Sequence, residues 1–110
     1  MRAFILILAL AAANAPHIAR AADAVPKFDI ARNCKTETAD AAGVGETQAS
    51  CVRDEEQARS KLADQWDDFA REDKLVCIRE TRLDGTPSYV ELETCLELAA
   101  DNRVRLKGKP

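Results

Sequence analysis

The sequence predicts an all-α domain of about four helices, arranged as two disulfide-stapled helical hairpins. Three observations carry this expectation. Apolar residues recur at helical spacing through most of the chain, no stretch alternates in the manner of a strand, and four cysteines bracket two turn-like segments.

The first residues, MRAFILILALAAANAPHIARAADA, have the grammar of a secretory signal. Arg2 supplies the positive start, Ala3 to Ala13 an apolar run, and Ala19-Arg20-Ala21 a small-x-small cleavage pattern. The run is too short for a helix across a bilayer, which needs about 20 residues. The expected domains are therefore a signal peptide over 1–21, a helical disulfide domain over 22–102 and a basic C-terminal tail over 103–110. Cleavage after Ala24 is the second choice. The mature chain is expected to be periplasmic or secreted, with no stable membrane insertion.

Along the mature chain, VPKFDIARNCK (Val25 to Lys35) spaces Phe28, Ala31 and Cys34 by three and places Pro26 where a first helical turn tolerates it. A short helix is expected there, followed by a loop through TETADAAGVG. From Glu46 to Ala70 the residues Ala58, Leu62, Trp66, Phe69 and Ala70 share one face, with Val52 opening the stripe. Asp54, Glu55 and Glu56 fall in early turns, where negative charge meets the positive end of the helix dipole. Leu75, Val76 and Ile78 continue the helix in a new direction, which implies a bend near Arg71–Asp73. Asp84-Gly85 then breaks the chain. Two starts compete for the last helix: Thr86 as N-cap with Pro87 following, or Ser88 with Glu91 as a capping box. Its inward stripe is Tyr89, Leu92, Cys95, Leu96 and Ala99, ending near Asn102. The expected core is Phe28, Val52, Leu62, Trp66, Phe69, Leu75, Ile78, Tyr89, Leu92 and Leu96.

An even cysteine count in a short exported chain indicates disulfides, and no C-x-x-C pair is present to favour zinc or a redox centre. Hairpin geometry selects the pairing, because residues facing each other in an antiparallel helix pair lie equally far from the turn. Midway between Cys34 and Cys51 lies the Ala42-Gly43 loop, and midway between Cys77 and Cys95 lies Thr86. Midway between Cys51 and Cys77 lies Asp64, inside the strongest helical stripe. The expected pairs are Cys34–Cys51 and Cys77–Cys95.

Charge and composition narrow the chemistry. Losing Arg2 and Arg20 with the signal leaves 14 basic against 19 acidic residues, a formal charge of −5. Four of those basic residues lie in the last eight positions, so residues 22–102 carry 10 against 19, or −9. An acidic body is a poor grip for nucleic acid. The basic tail reads first as a frayed terminus whose charges favour a helix C-terminus, and second as a tether to anionic envelope polymers or lipid. The single histidine, His17, belongs to the signal. The mature chain therefore lacks the residue on which triads, most general acid–base catalysis and most zinc sites are built. No catalytic residue, metal ligand or cofactor is expected.

CVRDEEQARSKLADQWDDFAREDKLVC (Cys51 to Cys77) and GTPSYVELETCLELA (Gly85 to Ala99) resemble a group of small exported four-cysteine helical proteins of unknown function from alphaproteobacteria, of the rhizobial type. That resemblance implies an exported helical protein and carries no activity. More weakly, Trp66-Asp67-Asp68-Phe69 followed by Arg71 is similar to the helix of LprI-like lysozyme inhibitors. Arg71 stands one place later than in that family, and Cys77 follows Phe69 at greater distance. The functional expectation is a binding module for another envelope protein, in its most concrete form an inhibitor of a cell-wall hydrolase. Exposed carboxylates Asp67, Asp68, Glu72 and Asp73 are the candidate contacts for a basic target. The alternative is an acid-stress protective protein in the manner of small periplasmic acid chaperones. Protonating every carboxylate would swing the formal charge from −5 to +14.

Overall fold

The computed structural model describes residues 22–39 and 47–108. Over these residues four helices follow one another: α1 (Ile30–Ala39), α2 (Gln48–Gln65), α3 (Arg71–Thr81) and α4 (Tyr89–Lys107). A single 3-10 turn, Trp66–Asp68, separates α2 from α3. The expected signal lies outside the described residues, as do the glycines of the expected first loop. Among the described residues no helix is long and apolar enough to cross a membrane.

Helix α1 forms later than the spacing implied. Val25 to Asp29 lies outside any helix, and Asp29 opens the helix by accepting the Arg32 amide on its side chain and the Asn33 amide on its carbonyl, each at 3.0 Å. Tyr89 holds this segment out of the helix. Its hydroxyl donates to the Pro26 carbonyl and accepts from the Phe28 amide, both at 2.9 Å, while the two rings lie 4.8 Å apart. Pro26 is thus a wall of the Tyr89 pocket and not a first-turn residue. At the other end α1 runs through Thr36 to Ala39, which the sequence assigned to a loop. There Thr36 and Thr38 donate back to the Arg32 and Cys34 carbonyls.

Helix α2 opens on a reciprocal capping box between Thr47 and Ser50. It stops at Gln65, short of the expected Ala70. Trp66 turns inward and donates its indole N–H to the Ala22 carbonyl at 2.9 Å. Phe69 and Ala70 then take extended backbone angles, so the expected bend is a full break two residues earlier. Removing residues 22–24 is expected to cost about 1–2 kcal/mol, because it leaves the buried indole without an acceptor. Comparing thermal unfolding of chains 22–110 and 25–110, with tryptophan emission as the probe, measures this.

The turn after α3 uses Gly85 at φ +81°, a conformation for which an L side chain is unsuited. Asp84 Oδ1 accepts from the Thr86 amide at 3.0 Å and fixes the reversal. Of the two competing caps, Ser88 is the one used, accepting from the Glu91 amide at 3.2 Å. Helix α4 continues past Asn102 to Lys107, with Arg105 and Lys107 in its last turn, where cations oppose the negative helix end.

The long α4 packs on both α2 and α3, and α1 packs on α2. Ala58, Leu62, Trp66, Cys77, Ile78, Tyr89, Leu92 and Leu96 form one buried cluster, flanked by half-buried Phe28 and Phe69. Each fully buried leucine contributes about 1.5–3 kcal/mol by leaving water. Val52 and Leu75, expected in the core, are only half-buried. The disulfides are Cys34–Cys51, joining α1 to α2, and Cys77–Cys95, joining α3 to α4, with Cα atoms 5.6 and 5.7 Å apart. Both hairpins are stapled as the turn geometry required.

Candidate partner-binding face

The four candidate carboxylates gather where α2 gives way to α3. Asp67 and Asp68 occupy the 3-10 turn, exposed, and neither forms an ion pair with a cation among the described residues. The turn is anchored from beneath by Trp66, over whose ring the Lys74 ammonium sits at 5.1 Å. Glu72 and Asp73 stand in the first turn of α3, where the free amides favour negative charge.

Asp73 differs from the other three. Arg103 of α4 grips it with two charge-assisted bonds, Nε to Oδ2 at 2.6 Å and a terminal nitrogen to Oδ1 at 3.0 Å. The same guanidinium lies 3.9 Å from Glu72. The hydrogen bond from Arg103 holds the Asp73 carboxyl below its usual range, and Asp73 in turn raises Arg103. Arg71 pairs at 3.9 Å with Asp23. The acidic face is thus carried by Asp67, Asp68 and the far side of Glu72, while Asp73 is committed to α4.

A depressed carboxyl stabilises the fold above its unfolded pKa, and that contribution disappears as pH falls through the lower folded value. Arg103→Ala is therefore expected to lower stability only slightly at neutral pH, because the pair is open to solvent. It should also flatten the loss of stability in the acid range below the ordinary aspartate pKa. Urea unfolding of both proteins across that range checks it.

The most elaborate polar site lies elsewhere and went unanticipated. Glu55, placed by its sequence position among the dipole charges of α2, is 2% exposed. It accepts from Ser88 Oγ at 2.5 Å, the Tyr89 amide at 2.7 Å and the Val90 amide at 3.4 Å. A carboxylate on α2 thereby satisfies the free amides at the start of α4. Thr81 of α3 closes the network, accepting from the Ser88 amide at 2.9 Å and donating to Glu91. The spacing Cys51, Glu55, Ala58, Leu62 puts Glu55 squarely on the inward stripe, and that was the available signal. Buried Lys74 shows the same pattern with Cys77, Ile78 and Thr81.

Among the described residues no group of histidine, cysteine, aspartate and glutamate side chains is arranged to hold a metal ion. No protein-family model matches the chain, and no curated protein or solved structure is found similar to it.

Proposed function

We propose that the chain acts as an exported, non-catalytic binding protein of the periplasm or the medium, docking on another envelope protein with a basic surface. Its most concrete form is inhibition of a cell-wall hydrolase. The reading rests chiefly on Asp67 and Asp68: two adjacent exposed charges without ion pairs, held on a short turn whose position is fixed by a buried tryptophan. Charges that are rigid before encounter lose little freedom on binding and steer a basic partner towards the face. The two disulfides suit an oxidising compartment.

The test adds oxidised residues 22–110 to a basic lysozyme-type muramidase acting on cell-wall suspensions. Inhibition at near-stoichiometric ratio, weakened at least about tenfold by Asp67→Lys with Asp68→Lys and by raised salt, is the expected result. Activity unchanged by a large excess of the protein overturns the inhibitor reading.

The carboxylate-rich body favours a second reading, acid-stress protection. Protonating its carboxylates swings the formal charge from −5 to +14, and self-repulsion that opened the α2–α4 junction would present Trp66 and Tyr89 to clients. Dye binding to exposed apolar surface around pH 3, with capture of an aggregating client, supports it. Retained helicity without dye binding counts against it.

A further inference from the structure

A cavity of about 340 Å³ opens where the non-helical segment before α1 meets the turn between α3 and α4. Its size falls in the range of small-ligand sites, about 300–1,000 Å³. Lys27, Arg32 and Arg82 surround it, and no carboxylate among the described residues forms an ion pair with any of them. Asp29 also borders the cavity, but its Oδ1 is occupied by the Arg32 amide. Three cations against one acid is a local reversal in a domain whose body carries −9. The apolar wall is the half-buried Phe28 ring, over which the Arg82 guanidinium lies at 5.7 Å, together with Pro87.

The second observation is Asn33, which lines the same cavity and is 2% exposed. Its Nδ2 donates to the Thr86 carbonyl at 3.0 Å. Its Oδ1 is buried and has no hydrogen-bond donor. Buried acceptors are nearly always paired, so an unpaired oxygen on a residue that lines the cavity points to a donor brought by something else.

The geometry points to a binding site for an N-acylated α-amino acid, the group that ends every peptide. The carboxylate meets Lys27, Arg32 and Arg82, where the guanidinium groups are suited to grip it with two hydrogen bonds. The amide N–H supplies the donor that Asn33 Oδ1 lacks, and an apolar side chain rests on Phe28 and Pro87. The site shares no residue with the acidic face and does not depend on it.

The experiment titrates oxidised, isotope-labelled residues 22–110 with N-acetyl-leucine and follows the backbone amide spectrum. Two further probes separate the contributions: N-acetyl-leucinamide, which has no carboxylate, and 4-methylpentanoate, which has no amide. Saturable shifts confined to residues 27–33 and 82–88 are expected with N-acetyl-leucine, with the amide binding at least about tenfold more weakly and the simple acid several-fold more weakly. The variant Arg32→Gln with Arg82→Gln, whose changed side chains are exposed, should keep the helical spectrum and lose the binding. Absence of saturable shifts, or equal binding of acid and amide, overturns the assignment. Equal binding of N-acetyl-leucine and 4-methylpentanoate removes Asn33 from it.

Discussion

Glu55→Gln is expected to lower the unfolding free energy by about 2 kcal/mol, and Glu55→Ala by about 3–5 kcal/mol. The ranking follows from what each change leaves behind. Three donors from the start of α4 converge on this one buried side chain. Alanine leaves all three unpaired in the core. Glutamine keeps the shape and one acceptor oxygen, but it loses the charge and turns an N–H₂ group towards other donors. Neighbouring Asp54 and Glu56 are exposed, so Asp54→Asn and Glu56→Gln should stay within about 0.5 kcal/mol of the parent. Urea midpoints of the four variants, disulfides intact, decide the matter. If Glu55→Gln behaves like its two neighbours, the carboxylate does not hold α4 to α2.

Removing the disulfides should have effects of similar size but different character. The bridges close loops with sequence separations of 17 and 18 residues, and the chain-entropy model assigns each about 3 kcal/mol. Equal entropy does not imply equal consequences. Helix α1 packs on α2, and beyond the Cys34–Cys51 bridge its tie to the far turn is the Asn33 bond to Thr86. Cys34→Ala with Cys51→Ala is expected to release α1 from protection against hydrogen exchange while α2 to α4 stay protected. Cys77 lies in the central cluster, between helices that share the buried leucines. Cys77→Ala with Cys95→Ala should therefore lower the midpoint of the whole cooperative unit. Exchange rates that rise together over all four helices in the first variant would contradict this division.

Much of the architecture was legible because it is local. Helical stripes, the Ser88 cap, the Asp84-Gly85 reversal and both cysteine pairs rest on spacings within one helix or one hairpin. What was not legible is carried by contacts between distant positions. Tyr89 decides where α1 begins through bonds to Pro26 and Phe28, more than sixty residues away in sequence. No periodicity within Val25–Lys35 encodes that. Arg103 withdraws Asp73 from the acidic face across thirty positions, so four equivalent carboxylates in sequence are unequal in space. Glu55 is an intermediate case. Its place on the stripe was visible, but a charged residue in an early helical turn has a ready explanation in the helix dipole, and the stripe position was the better guide.

The placement of the two bridges has a topological consequence. Each bridge closes within its own hairpin, so the only covalent path from α1–α2 to α3–α4 is the main chain itself, through the extended pair Phe69–Ala70. A single backbone cut there would leave two separately cross-linked fragments, held together without any covalent bond by the Glu55 junction, the leucine core, the Tyr89 bonds to Pro26 and Phe28, the Asn33 bond to Thr86 and surface ion pairs such as Lys61 to Glu93. Such a nicked protein would migrate as one species in native buffer. In denaturant it would come apart with no reductant present.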